Sequence, residues 1–226
     1  MTPVSVKARD GENIMCYLSS PPGSENKPLV LFIYGGPQAR YHWGYHPACQ
    51  FLCNRGFRTP QVNYRGSTGF GERFLKLGMN GQFYQSVQTD ISDASVAFSS
   101  GQDMVIFGAS FGGYSALWGI TEASELYKCA MVKCPLTVVG AANEEGRKMF
   151  GGGPLIAKYW QQVFGFDVSN TREVAKKTSP LHQMNKLASG ASIQLFHGEN
   201  DPRAPFEHSI RVIDEENAQI KKGKNI

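Results

Sequence analysis

A chain of 226 residues with 41% hydrophobic content, 12% aromatic content and 25 glycines fits one α/β domain, or a small pair, with many tight connections. Its net charge of +4 is mild and dispersed, which argues against a nucleic-acid partner, and no run of about 18 apolar residues exists to span a membrane. Five cysteines, an odd number without framework spacing, point to reduced thiols and a cytoplasmic setting.

The polar, alternating start Met1-Thr-Pro-Val-Ser-Val-Lys7 is no signal peptide. Val4–Ala8 and Ile14–Leu18 alternate around the turn Arg9-Asp10-Gly11-Glu12, which predicts a β-hairpin. After a Pro/Gly-rich loop, Leu29-Val-Leu-Phe-Ile33 is continuously apolar and ends at Tyr34-Gly35-Gly36-Pro37, the pattern of a fully buried strand followed by a turn. A short helix over His46–Arg55, closed by Gly56, leads to a strand over Phe57–Asn63. Helical patterns occupy Phe83–Ser99 and Gly112–Glu122, with a strand at Lys128–Cys134. Tyr159–Phe166 and Thr171–Leu187 read as helix or loop, Ser192–Phe196 as a strand, and Pro205–Lys222 as an amphipathic helix with a cap at Gly223. Strands alternating with helices imply a mostly parallel sheet covered on both faces.

Two tempting sites fail on geometry. His42, His46, Cys49 and Cys53 share one helical face, but zinc sites draw ligands from more than one element so that the tetrahedron closes. Cysteines flanking Phe51-Leu52 serve as small hydrophobes, so no metal is expected. The glycines of Arg65-Gly66-Ser67-Thr68-Gly69-Phe70-Gly71 follow a strand, with Asp90 further on, as in a dinucleotide loop. A helix should start at once and the acid should end the next strand; Asp90 instead sits in a helical stretch.

The chemistry lies in Val105-Ile-Phe-Gly-Ala-Ser-Phe-Gly-Gly-Tyr114, a strand running into Gly108-Ala109-Ser110-Phe111-Gly112 and then an apolar helix. This is G-x-S-x-G in its strand–turn–helix context, where a sharp turn exposes the serine hydroxyl. The alternative is an ordinary Gly-rich βα turn. A hydroxyl nucleophile also needs a base, an orienting acid and oxyanion donors. Asp201 is the acid candidate, falling just past the strand of Leu195-Phe196-His197-Gly198-Glu199-Asn200-Asp201-Pro202-Arg203.

Four blocks together resemble the catalytic domain of the prolyl oligopeptidase family of serine peptidases, in the dipeptidyl-peptidase and acylaminoacyl-peptidase branches. They are Tyr34–Pro37, Asn63–Gly71, Gly108–Tyr114 and His197–Pro205. The resemblance implies a single α/β-hydrolase domain over residues 1–226, a doubly wound and mostly parallel sheet with an N-terminal β-hairpin. It implies Ser110 as nucleophile, Asp201 as triad acid and the Phe111 backbone N–H as one oxyanion donor. Tyr34 stands where many members carry a tyrosine whose hydroxyl is the second donor; others have histidine there and use a backbone N–H. The implied substrates are short peptides, with no cofactor.

Two departures accompany it. The family's catalytic histidine follows the acid after one more helix and strand, and none of His42, His46, His182, His197 or His208 matches that block. Members also carry a β-propeller before the hairpin. A clipped catalytic domain is therefore expected, lacking the final strand and helix and doubtful in activity. A carboxylesterase or lipase on the same fold, or an inactive binding protein, are the competing readings. A sheet edge left open at Ser192–Phe196 would favour self-association.

Overall fold

The computed structural model describes residues 1–79, 81, 83–138, 154–165 and 176–222. Seven strands form one sheet: β1 (Thr2–Lys7), β2 (Asn13–Ser19), β3 (Leu29–Ile33), β4 (Thr59–Asn63), β5 (Met104–Ala109), β6 (Cys129–Lys133) and β7 (Ser192–Phe196). Their spatial order is β1-β2-β4-β3-β5-β6-β7. β1 and β2 form the expected hairpin, and β2 runs antiparallel to β4. The remaining neighbours are parallel.

Winding reverses between β3 and β5. From β3 the chain passes through α1 (Pro47–Cys53) to β4 on one side. It then crosses back through α2 (Glu72–Leu77) and α3 (Gln88–Ser99) to β5 on the other side. α4 (Phe111–Glu122) leads to β6, while α5 (Pro154–Phe164), a 3-10 turn over Pro180–Lys186 and α6 (Glu207–Lys221) complete the described elements. In open α/β sheets the crevice opens at the carboxyl ends of the strands beside such a reversal.

Every residue of β3 is buried because both its faces are covered. Leu29, Leu31 and Ile33 join the larger core with Ile91 of α3 and Leu117 and Ile120 of α4. Val30 and Phe32 face the other way, onto Cys49 and Leu52 of α1. β7 alternates between half-buried and exposed, with Ile193 and Leu195 packed on the larger core. Among the described residues β7 pairs with β6 alone.

Element bounds differ from the sequence pattern in identifiable ways. α1 starts at Pro47 because His46 caps it: its Nδ1 accepts the Cys49 amide at 3.4 Å, and proline suits the first helical position. Phe57 belongs to the smaller core rather than to β4, which begins at Thr59. Phe83–Val87 form a π-helical turn that runs into α3. Residues 166 and 171–175, read as parts of helices, and Gly223, read as a cap, lie outside the described residues.

Candidate active site

Ser110 sits between β5 and α4 at φ 56° and ψ −117°, a conformation that a residue with a Cβ adopts only when its surroundings enforce it. The enforcement is visible. Its amide donates to the Lys133 carbonyl of β6 at 2.9 Å, and its carbonyl accepts from Tyr114 at 3.0 Å and Leu136 at 3.4 Å. The glycines two residues to either side are required by close approach. A Cβ on Gly108 would strike the carbonyl of Gly112, and a Cβ on Gly112 would strike the carbonyls of Ile33 and Tyr34. The elbow is therefore wedged against the end of β3. The Ser110 side chain is left exposed, and no described residue hydrogen-bonds its hydroxyl. Phe111 begins α4 fully buried, which places its amide at the helix's positive end.

Asp201 lies past the carboxyl end of β7. The register runs level from Ala109 to Lys133 to Phe196, so Ser110 and the Asp201 loop leave the same edge of the sheet with one strand between them. Two inter-strand steps amount to about 10 Å between the strands that carry them. Lys133, Cys134, Phe196, His197, Gly198 and Asp201 line a groove of about 530 Å³ there.

The turn preorganises the carboxylate. Asp201 Oδ1 accepts the amides of Ala204 at 2.9 Å and Arg203 at 2.8 Å. These bonds, the Ala204 one foremost, hold its carboxyl below the ordinary value of 3.8. A depressed folded-state value contributes stability above the unfolded value and loses it as pH falls through the folded one. The Asp201 carboxyl should thus titrate below pH 3.8 in a ¹³C NMR titration, leaving a fully ionised acid at neutral pH.

The histidines are engaged elsewhere. His197 Nε2 bonds the Ala204 carbonyl at 2.9 Å and Nδ1 the Ser209 hydroxyl at 2.7 Å, tying the Asp201 loop to α6. His208 is buried on α6 with Nδ1 2.7 Å from the Thr137 hydroxyl. His46 caps α1, and His42 and His182 are exposed.

Tyr34 follows β3 at the same edge, and its hydroxyl is engaged by Ser67. It is 2.5 Å from Ser67 Oγ, with the ring 4.4 Å from and stacked on Tyr64. Ser67 Oγ itself donates to the Tyr64 carbonyl, so the Tyr34 proton is committed to Ser67. Burial pushes the Tyr34 hydroxyl well above its ordinary pKa. Tyr64 and Ser67 were passed over in the sequence because glycines dominate their block.

Asp90, the acid of the apparent dinucleotide loop, is sealed in the core. Its Oδ2 accepts the Arg65 amide at 2.7 Å and its Oδ1 the Arg65 Nε at 2.9 Å. Among the described residues no group of three or more metal-ligating side chains is placed to hold an ion.

Comparison with known proteins gives a consistent picture. The model of the prolyl oligopeptidase family matches residues 43–226. The chain is similar to dipeptidyl peptidase family member 6 of Caenorhabditis elegans, 31% identical over 92% of this chain and 28% of that protein. It is equally similar to dipeptidyl aminopeptidase BIII of Pseudoxanthomonas mexicana, 31% identical over 93% of this chain and 32% of that protein. It superimposes on a puromycin-hydrolyzing peptidase of Mycobacterium tuberculosis with a TM-score of 0.82 at 22% identity, covering 96% of this chain and 34% of that one, which shows a shared α/β-hydrolase fold. The chain thus spans under a third of the length of these two relatives.

Proposed function

Because the chain belongs to the prolyl oligopeptidase family, we propose that it is the catalytic portion of a serine peptidase that cleaves short peptides through an acyl-enzyme on Ser110. The carrying observation is the strained, exposed Ser110 leaving the same sheet edge as the preorganised Asp201. Ser110 Oγ attacks the scissile carbonyl carbon and forms the ester bond. Its proton passes through the base to the departing amine as the C–N bond breaks, and water later releases the acyl group. In this reading the Phe111 amide and the Tyr34 hydroxyl are the oxyanion donors. Asp201 orients the base and stabilises its cation. His46, His197 and His208 are held by other hydrogen bonds, and no histidine of this sequence matches the family's base block, so this reading leaves the base unassigned.

That open position favours one second reading, a hydrolase-fold protein that binds peptides without turning them over. Labelling with an alkyl fluorophosphonate, followed by mass spectrometry, separates the two. Covalent label on Ser110, lost in Ser110→Ala, is expected. Turnover of aminoacyl anilides should exceed that of p-nitrophenyl esters relative to their uncatalysed rates. Without a base, acceleration should be limited to about 10³–10⁴ over water. An unlabelled Ser110 would overturn the peptidase reading; ester-only turnover would move it to an esterase.

Five free cysteines suit a reducing, cytoplasmic compartment. The edge of β7 also supports self-association. Ser192-Ile-Gln-Leu-Phe196 carries no guarding charge, Phe196 is 49% exposed, and Ile210, Ile213 and Ile220 are exposed on α6. Sedimentation should show concentration-dependent dimerisation that Gln194→Lys reduces; a monomer at all concentrations would end this reading.

A further inference from the structure

Arg40 lies in the loop that follows β3, and both of its chain neighbours are fastened. The Ala39 carbonyl accepts the Thr68 amide at 3.0 Å. The Tyr41 amide donates to Asn63 Oδ1 at 2.7 Å, and the Tyr41 carbonyl accepts from Asn63 Nδ2 at 3.3 Å. The backbone that carries Arg40 is therefore fixed on either side, to the end of β4 and to the loop beyond it. The side chain is half-buried and laid against Gly69-Phe70. Its guanidinium carbon would stand 2.8 Å from a Cβ on Gly69 and is 5.9 Å from the centre of the Phe70 ring. Glycine at φ 83° leaves the space that the guanidinium fills, and an aromatic face attracts a cation.

This cradled cation has no anion. Arg9 pairs with Asp93, Arg65 with Asp10 and Asp90, and Arg73 with Glu12. Glu72, the acid beside the Gly69 loop, is held by Lys76 at 2.7 Å. Among the described residues none forms a salt bridge with the Arg40 guanidinium or accepts a hydrogen bond from it. Its position gives that vacancy a use. β3, β4 and β5 run parallel, so the Arg40 loop, the Gly69 loop and the Ser110 turn leave the same edge of the sheet. β4 stands two strands from β5, about 10 Å at the ordinary spacing, and an extended peptide covers that span in about three residues.

We propose that Arg40 is a specificity-determining residue whose guanidinium takes a carboxylate of the bound peptide, within about three residues of the bond attacked by Ser110. The planar fork matches the two oxygens of a carboxylate, and its fixed backbone and cradle lower the cost of ordering it on binding. An acidic side chain and a free chain terminus present the same pair of oxygens, so either can supply the group. The inference rests on the peptidase reading for the ligand's being a peptide, and on the unpaired guanidinium for its charge.

The test is calorimetry on the full chain carrying Ser110→Ala, so that no peptide is consumed. Short alanine-rich peptides are compared in two matched pairs. The first pair has both ends blocked and carries glutamate or glutamine at one position. The second has no acidic side chain and ends in a free carboxylate or a carboxamide. In at least one pair the carboxylate member should bind about 10-fold tighter at low salt, and the pair that responds identifies the source of the carboxylate. Arg40→Gln should abolish the preference, and Arg40→Lys should keep only part of it, because lysine retains the charge without the fork. Equal affinities within both pairs would overturn the inference, and so would a preference that survives Arg40→Gln. A second measurement needs no substitution at Arg40. Its Nε–H resonance in ¹⁵N–¹H spectra should shift on adding the preferred carboxylate peptide and stay in place with the matched amide; an unmoved resonance would also overturn the inference, and this readout decides if Arg40→Gln does not fold. If a fluorophosphonate never labels Ser110 in the parent chain, the peptidase reading falls while the paired affinities still judge Arg40.

Discussion

Gly112→Ala is expected to prevent this chain from folding to a stable native state. The added methyl would run into the Ile33 carbonyl, the last of a fully buried strand, and lie 2.8 Å from that of Tyr34 just beyond it. Overpacking against backbone belongs to the class of substitutions that cost more than about 4 kcal/mol, a large fraction of a domain's stability. Gly198→Ala is the control: no atom lies within 4 Å of the added methyl there, and surface changes of that kind fall within about 0.5 kcal/mol. Soluble yield and thermal melting of the two variants check the contrast. A Gly112→Ala protein melting like its parent would mean that β3 and the elbow are not wedged together.

Asp90→Asn should be the most damaging charge change. The Asp90 side chain is fully buried and that of Arg65 is 7% exposed, and the pair shares several bonds. Arg65 also reaches Asp10 in the β1–β2 turn, so the cation joins the hairpin, the loop after β4 and α3. Removing Asp90 leaves the buried Arg65 charge with only the half-exposed Asp10 as counter-ion, at a cost of about 3–5 kcal/mol. Replacing both as Arg65→Met with Asp90→Leu should recover most of the loss, because the burial penalty then disappears with the charge. Urea denaturation of the single and double variants measures both. Equal destabilisation by the two would show that the pair contributes through packing rather than charge.

Much of the architecture is written in local pattern. A continuous apolar run marked β3 because a strand buried on two faces cannot alternate, and alternation marked β1 and β2 because one face meets water. The elbow was legible because Gly108 and Gly112, two residues to either side of Ser110, each answer a close backbone approach that a side chain would block. The direction of Tyr34 was not. It depends on Ser67 and Tyr64, which are remote in the chain and meet Tyr34 only once β3 and β4 lie side by side. The same holds for His197 and His208: imidazole is equally suited to catalysis and to filling a polar gap, and only Ser209, Ala204 and Thr137 show which use prevails. Asp90 resembled a ribose ligand until the helix that carries it folded onto Arg65.

The pairing of β3 with β5 has a bearing on how the protein is made. Leu29 meets Met104 and Ile33 meets Gly108, partners distant in the chain, so the central ladder closes only after a long loop has been drawn in. Such contacts slow folding, whereas the β1–β2 hairpin forms locally. The Ser110 backbone is held by Lys133 and Leu136, which arrive with β6, later still in the chain. A partly synthesised or partly folded chain therefore contains the serine but not the contacts that hold its strained geometry. The Ser110 elbow is thus assembled only by completion of the sheet, well after the residue itself has been synthesised.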